Sequence, residues 1–281
     1  MPHFAAEVTG LDLRRPLDEA TVAELRDTIH RYAVVVLRGQ AIDDAQQVRF
    51  SERFGELEAV YALKYEKAVM NRNLIVLSNL DPQTGAIIPL SEERAHFHDA
   101  NRLWHSDSSF KPVPAAFSIL SARQVPPDGG DTEYADTRVA WNELPEAKQA
   151  ALEGLIAEHD FLYGRSIANP GNAFFSEEEK KLLEPVHHPL VRRHPATGTK
   201  SLYIGSHASR VLGMPLEEGR AILRELLERA TLPERIYRHK WRRGDVVIWD
   251  NPSVIHRGTP FDAGKHARVM HRTTVIGEPT M

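Results

Sequence analysis

The chain has 281 residues, of which 42% are hydrophobic and 26% are charged, and it contains no cysteine. This composition is typical of a globular protein. The lack of cysteine excludes disulfide bonds, iron–sulfur clusters, zinc fingers and thiol catalysis. With 35 Lys and Arg against 39 Asp and Glu, the formal net charge is −4, so we expect no nucleic-acid partner and no membrane partner.

The first residues contain no basic segment followed by an apolar core, and the longest aliphatic stretch covers only residues 33–37. We therefore expect no signal peptide, no transmembrane helix and a cytoplasmic location. Neither a repeat, a low-complexity tract nor a linker is visible in the sequence. The chain is predicted to form a single domain over residues 1–281.

In the first third of the chain, helices and strands are predicted from apolar periodicity and from capping residues. A helix over 18–32 is followed by a buried strand over 33–37. A second helix begins at Asp43 or Asp44 and ends at Gly55, and a short strand covers 74–77. Residues 86–101 are polar and lack a period, which indicates a long loop of the kind that often forms a functional lid.

The remaining two thirds contain short strands separated by turn residues. Strands are predicted at 115–124, 131–136, 188–194, 200–205, 235–241, 245–250 and 267–276, helices at 145–157 and 216–230, and an irregular or partly helical segment at 164–186. Because the strands do not alternate regularly with helices, the pattern favours a mainly β fold with helical decoration, either an antiparallel sandwich or a jelly roll.

Several common enzyme signatures are missing from the sequence. It contains no G-x-G-x-x-G dinucleotide fingerprint, no P-loop, no G-x-S-x-G nucleophile elbow and no H-E-x-x-H zinc motif. Any metal must therefore be bound by another arrangement of His, Asp, Glu or water.

One segment has the spacing of a metal site, His105-Ser106-Asp107. Residues i and i+2 of an extended chain point to the same side, so the imidazole and the carboxylate can bind one ion. A second histidine from a distant strand would complete a 2-His-1-carboxylate set, which leaves positions open on Fe(II). One or two such triplets are expected by chance among the histidines of this chain. Whether this triplet is a metal site therefore depends on the surrounding sequence.

That surrounding sequence lies in the last third of the chain. Residues 244–251 read as a turn, a buried strand and an acidic end, and His256 follows shortly after them. Arg268 and Arg272 lie on one face of the strand predicted at 267–276, where they could bind carboxylates. The alternative for these arginines is a solvated edge strand with surface ion pairs.

Taken together, these segments make the sequence resemble the Fe(II)/2-oxoglutarate-dependent dioxygenases of the taurine dioxygenase group, most closely the members that act on 2,4-dichlorophenoxyacetate. The resemblance extends from Gly10 to Thr274. Its most specific segments are 103–110, 129–132, 202–209, 249–251 and 256–258.

The resemblance implies a double-stranded β-helix, which is a form of jelly roll. It implies that His105, Asp107 and His256 are the catalytic iron ligands. It further implies that Thr132 and Arg268 bind the distal carboxylate of the cosubstrate 2-oxoglutarate. The expected reaction uses Fe(II), 2-oxoglutarate and O2, with ascorbate as a support in vitro.

For the organic substrate, the resemblance implies that Arg272 binds an anionic group and that Asn101 lies in the pocket. The expected substrate is an aryloxyacetate such as 2,4-dichlorophenoxyacetate, which would be converted to a phenol and glyoxylate. An alkanesulfonate such as taurine is the alternative substrate. A non-catalytic metal-binding carboxylate sensor and a zinc hydrolase are the alternative functions. Similarity is lowest over 56–72, and a homo-oligomer is expected.

Other histidines are predicted to have structural roles or remain open. His207 is expected to be a hydrogen-bonded structural residue, and His271 should point away from Arg272 by strand alternation. His96 and His98 lie in the predicted lid, where a substrate role is an open alternative. The basic segment 238–243 is expected to form a solvated turn between two strands.

Overall fold

The computed structural model describes residues 4–59, 72–171 and 175–280. Its strands are β1 (Ala6–Val8), β2 (Val34–Leu37), β3 (Ile75–Ser78), β4 (Ala115–Gln124), β5 (Thr132–Asp136), β6 (Ile156–His159), β7 (Val186–Pro189), β8 (Val191–Arg193), β9 (Lys200–Leu202), β10 (Ala208–Val211), β11 (Ile236–His239), β12 (Val246–Asp250), β13 (Val254–Gly258) and β14 (Val269–Ile276). Its α-helices are α1 (Glu19–Tyr32), α2 (Asp44–Glu52), α3 (Thr137–Asn142), α4 (Glu146–Leu152), α5 (Phe161–Ala168), α6 (Glu177–Lys181) and α7 (Leu216–Ala230). Short 3-10 helices cover Glu93–His96, Asp99–Arg102 and Pro233–Arg235.

Two sheets form the centre of the fold. The larger sheet has six strands in the order β1-β2-β12-β4-β14-β3, and only the β1–β2 pair is parallel. The second sheet has the order β11-β5-β13 and is antiparallel. Apolar side chains of both sheets share one core, with Leu120 and Val247 from the larger sheet and Tyr134 and Val254 from the smaller one. This arrangement is the predicted jelly roll.

Helices cover the outer faces of both sheets. Helices α1 and α2 pack Leu25, Ile29 and Phe50 on the six-stranded sheet. Helices α3 and α7 pack on the other side of the molecule against β5, β9 and β13. Strands β2 and β12 are therefore buried on both faces, which explains their continuous apolar sequences.

Most predicted elements are confirmed within a few residues. Helix α1 begins after Asp18, whose carboxylate accepts a hydrogen bond from the Thr21 N–H, and α7 has the predicted bounds 216–230. The helix predicted at 145–157 is wrong beyond Leu152, because Gly154 has a φ of +82° and ends it. The next residues form β6, which pairs with β7 and β10.

Four strands were not predicted, namely β1, β6, β10 and β13. The strand predicted at 200–205 ends at Leu202, and the loop predicted at 86–101 contains two 3-10 helices. The segment of lowest similarity, 56–72, lies largely outside the described residues. In the described ranges, no helix is long and apolar enough to cross a membrane. The single domain over 1–281 stays a prediction.

Candidate metal centre and active site

Three predicted ligand residues meet at one end of the jelly roll. A short backbone bridge joins His105 to His256, with N–O distances of 3.0 and 2.8 Å in the two directions. The Nε2 atoms of His105 and His256 lie 3.8 and 3.7 Å from the two carboxylate oxygens of Asp107. One ligand atom from each residue lies within 4.8 Å of the others, and all three side chains are buried. Among the described residues, this is the one His/Asp/Glu cluster with such a spacing.

The protonation states of these side chains suit a divalent metal ion. Burial lowers the pKa of both His105 and His256, so their imidazoles are neutral at neutral pH. Burial opposes ionisation of Asp107, but the Arg272 cation and the hydrogen bond from Ser118 favour the carboxylate, and the pKa of this carboxyl lies well below its usual value. Two neutral imidazoles and one carboxylate are the forms that bind metal, and nitrogen and oxygen donors of this kind suit iron.

The orientation of the His105 ring is fixed by a backbone hydrogen bond. Its Nδ1 atom lies 2.8 Å from the Leu103 carbonyl oxygen and therefore carries the proton that it donates. The Nε2 atom is left with a free lone pair, which faces Asp107 and His256. Metal-binding histidines are commonly oriented by such a bond from the second ring nitrogen.

A cavity of about 120 Å³ adjoins the triad and contains both predicted cosubstrate residues, Thr132 and Arg268. The Arg268 Nε–H donates to the Gly130 carbonyl oxygen at 2.9 Å. Burial lowers the pKa of Arg268 to about 10, so it remains a cation at neutral pH. Arg268 is partly buried and forms no ion pair with a carboxylate of the described residues, so an anionic ligand in the cavity would compensate its charge.

The hydroxyl of Thr132 is prepared to donate into the same cavity. Trp241 donates its indole N–H to the Thr132 Oγ1 at 3.0 Å, so the hydroxyl proton is free to point elsewhere. The basic segment 238–243 is therefore more than the solvated turn expected from the sequence, because Trp241 turns inward and supports this residue.

A second cavity of about 110 Å³ also adjoins the triad and is lined by His105 and Asp107. Arg272 and Asn101, the two predicted substrate residues, line both cavities. Arg272 Nη1–H donates to Asp107, while its buried Nε–H has no hydrogen-bond partner in the described part of the chain. Phe110 and Phe161 form one wall, with ring centroids 4.5 Å apart.

Two further histidines face the cavities. His98 lines both cavities and His207 lines the second one, and burial lowers the pKa of each to about 3, so both are neutral. His207 is hydrogen-bonded through Nδ1 to the Ser109 Oγ at 2.9 Å, as a structural histidine would be. His96 instead bonds to Asp99 and a backbone oxygen, and His271 bonds to Asp44, away from Arg272 as predicted.

Several cavity residues were missed by the sequence analysis. Phe110 and Phe161 come from distant segments, and neither carries a motif of its own. Arg165 also lines the second cavity, where its guanidinium stacks on Phe97 and Phe161 at 4.5 and 5.1 Å from the ring centroids. The one signal available in the sequence was that Phe110 ends the segment 103–110, which also contains two predicted metal ligands.

Comparisons with known proteins give one consistent result. The sequence matches the family "Taurine catabolism dioxygenase TauD, TfdA family" over residues 1–274. It is 41% identical over 276 residues to the alpha-ketoglutarate-dependent 2,4-dichlorophenoxyacetate dioxygenase of Cupriavidus pinatubonensis. This match covers 98% of this chain and 95% of that protein. It is 33% identical over 283 residues to the alkylsulfatase of Acinetobacter baylyi, which covers 99% of this chain and 83% of that protein.

A solved structure gives the same result. The structure of AAD-2 in complex with Mn(II) and N-oxalylglycine superimposes with a TM-score of 0.90 at 41% identity, and the match covers 99% of this chain and 96% of that chain. The similarity in sequence and in structure therefore extends over nearly the whole chain.

Proposed function

Because this chain belongs to the taurine catabolism dioxygenase TauD, TfdA family, it is an alpha-ketoglutarate-dependent dioxygenase, and we propose that its organic substrate is an aryloxyacetate. Enzymes of this kind use Fe(II), 2-oxoglutarate and O2. Family membership favours an enzyme over the non-catalytic sensor and over the zinc hydrolase. The residues that bind each component are part of the proposal.

In the proposed centre, His105, Asp107 and His256 bind the iron. The neutral imidazoles, the ionised carboxylate and their mutual distances support this assignment. Arg268 and Thr132 bind the distal carboxylate of 2-oxoglutarate, Arg268 with its guanidinium and Thr132 with its hydroxyl. The position of the Arg268 cation in the cavity, without an ion pair to a carboxylate of the described residues, supports this role.

When bound, iron and 2-oxoglutarate would supply the oxidising chemistry: 2-oxoglutarate would lose CO2 and take up one oxygen atom of O2 to give succinate, and the other oxygen atom would enter a substrate C–H bond. The protein orients the substrate and excludes water. Arg272 binds the substrate carboxylate, and its position beside Asp107 brings the adjacent methylene close to the metal site. Hydroxylation of that methylene gives a hemiacetal, which breaks into a phenol and glyoxylate.

The observation that carries the substrate proposal is the pairing of an arginine with an aromatic wall in one cavity. An aryloxyacetate has a carboxylate at one end and a ring at the other. Arg272 matches the carboxylate, while Phe110 and Phe161 can pack edge or face against the ring. Neutral His98 and His207 add no charge near the ring. Taurine has no ring that could pack against Phe110 and Phe161.

Succinate formation measured together with phenol release tests this proposal. Phenoxyacetates, taurine and an alkyl sulfate ester should be compared with Fe(II), 2-oxoglutarate and ascorbate present. We expect phenol and succinate in equal amounts from a phenoxyacetate, and little substrate-dependent succinate from taurine. Sulfite from taurine, or sulfate from the ester, at a higher kcat/KM would contradict the aryloxyacetate assignment.

A pair of variants then tests the aromatic wall. Phe161→Leu should raise KM for a phenoxyacetate severalfold and leave KM for 2-oxoglutarate near the wild-type value, because Phe161 lines only the second of the two cavities. Leu216→Ala is a suitable control, since Leu216 is 46% exposed at the start of α7 and lines neither cavity. The homo-oligomer expected from the resemblance stays a prediction.

A further inference from the structure

A chain of buried hydrogen bonds ends on Asp107. Trp249 Nε1 donates to Asn251 Oδ1 at 3.1 Å, and Asn251 Nδ2 donates to Ser118 Oγ at 3.0 Å. Ser118 Oγ in turn donates to Asp107 Oδ2 at 2.7 Å. The backbone N–H of Asp107 also donates to Asn251 Oδ1, at 3.2 Å. These four residues are each at most 3% exposed.

The direction of every bond in this chain is fixed by chemistry. The indole N–H of Trp249 and the backbone N–H of Asp107 can only donate, and both approach the same atom of Asn251. That atom must be the amide oxygen, so the amide nitrogen faces Ser118. Because the Ser118 oxygen accepts from Asn251, its own proton is directed to Asp107.

The sheet itself holds these residues in place. Trp249 on β12 pairs in register with Ser118 on β4, in the middle of the six-stranded sheet. The Asn251 N–H donates to the Ala116 carbonyl oxygen at 2.9 Å, which ties the end of β12 back to β4. One carboxylate oxygen of Asp107 therefore contacts the rigid sheet through Ser118, while the other contacts Arg272, which lines both cavities.

We infer that Ser118 is a positioning residue for the carboxylate ligand, oriented by Asn251 and Trp249, and that it sets the metal affinity of the site. This inference rests on the proposed metal centre. The Ser118 hydroxyl stops rotation of the Asp107 carboxylate and holds its Oδ2 atom beside the Nε2 atom of His256. Without it, Arg272 is the remaining side-chain donor to Asp107 among the described residues, and the carboxylate turns towards that cation.

Metal affinity of matched serine variants tests this role. Ser118→Ala should raise Kd for Mn(II) by roughly tenfold, because partners that orient ligands typically change metal affinity by about 10- to 100-fold. Ser121→Ala is the control. Ser121 lies on the same strand, is equally buried and donates to Gln47 at 2.6 Å, away from Asp107. Its Kd should remain at the wild-type value.

A thermal readout separates positioning from stability. Both alanine variants should have a lower Tm than the wild type without metal, since each loses one buried side-chain hydrogen bond. Saturating Mn(II) should raise Tm less in Ser118→Ala than in the wild type, but equally in Ser121→Ala and the wild type. Should Ser118→Ala fail to fold, Ser118→Cys keeps nearly the same volume with a weaker donor and should show an intermediate Kd.

An unchanged Kd in a folded Ser118→Ala or Ser118→Cys variant would overturn the inference, and so would an equal rise in Ser121→Ala. His256→Ala distinguishes this result from failure of the metal centre. If His256→Ala binds Mn(II) as well as the wild type, the proposed centre is wrong. If it loses binding while Ser118→Ala does not, only the positioning role is wrong.

Discussion

Arg268 and Arg272 lie on the same strand region but have different surroundings. Arg268 donates to a backbone oxygen and forms no ion pair with a carboxylate of the described residues. Arg272 donates to Asp107 and lines both cavities. The roles proposed for these two arginines therefore differ because of their neighbours, since the side chains themselves are identical.

Alanine variants of the two arginines should each raise KM for a different one of the two substrates. Arg268→Ala should raise KM for 2-oxoglutarate about 10- to 100-fold, the range expected for losing a charged hydrogen bond of about 1.5–3 kcal/mol. Arg272→Ala should do the same for the organic substrate. Initial-rate kinetics with each substrate varied in turn provide the measurement. The opposite pattern would mean that the two roles are exchanged.

His105 and His207 provide a matched pair at the metal centre. Their ring centroids are 6.0 Å apart, but only His105 belongs to the three-residue cluster. His105→Ala should abolish Mn(II) binding and turnover, whereas His207→Ala should retain Mn(II) binding. Titration of Mn(II) by electron paramagnetic resonance measures both. Retained binding in His105→Ala would remove it from the proposed ligand set.

At the scale of elements, the turn between β4 and β5 contacts Arg268, a proposed cosubstrate residue. Gly130 has a φ of +66° in this turn, and its carbonyl oxygen accepts from Arg268. A Cβ at this position would lie 3.1 Å from Arg268 Cδ and 3.0 Å from Pro126 Cγ. The glycine is thus required by the backbone conformation and by the side chain that it positions.

Gly130→Ala should therefore raise KM for 2-oxoglutarate severalfold, because the new methyl group displaces Arg268. Gly154→Ala is the control, since Gly154 also has a positive φ, of +82°, but nothing lies within 4 Å of its Cβ position. Both variants should lose about 1–2 kcal/mol of unfolding free energy from backbone strain. Steady-state kinetics should show the change in KM for Gly130→Ala alone. An equal change in KM in both variants would mean that backbone strain, and not the displacement of Arg268, causes it.

At the scale of the whole molecule, buried histidines make stability depend on pH. Burial lowers the pKa of His98 and of His207 to about 3 and that of His188 to about 4. In the unfolded chain these groups titrate near their usual value of about 6.5. Below that pH the unfolded chain binds more protons, so the free energy of unfolding falls as the pH is lowered.

Urea denaturation of the metal-free protein should show this loss between about pH 6.5 and pH 4.5, at up to about 1.4 kcal/mol per pH unit for each such histidine. His188→Gln should reduce the slope, because its unfolded chain no longer takes up that proton. The neighbouring His187→Gln is the control, since the His187 side chain is 47% exposed. Equal slopes in the wild type and His188→Gln would contradict this account.

The sequence by itself determined the features that depend on near neighbours along the chain. Helix α7 follows from its apolar stripe, the start of α1 from its N-cap Asp18, and β2 and β12 from continuous apolar runs. His105 and Asp107 could be found because their spacing of two places both on one side of an extended segment. The resemblance added His256, Thr132, Arg268, Arg272 and Asn101 as residues of one site.

Only the tertiary structure decided which distant residues meet. The bridge between His105 and His256 and the register between Trp249 and Ser118 are long-range pairings that no local period encodes. Phe110 and Phe161 carry no motif, and their ring contact arises from packing between separate elements. Side-chain periodicity is set by hydrogen bonds within an element, whereas the walls of a cavity are set by how elements pack on one another.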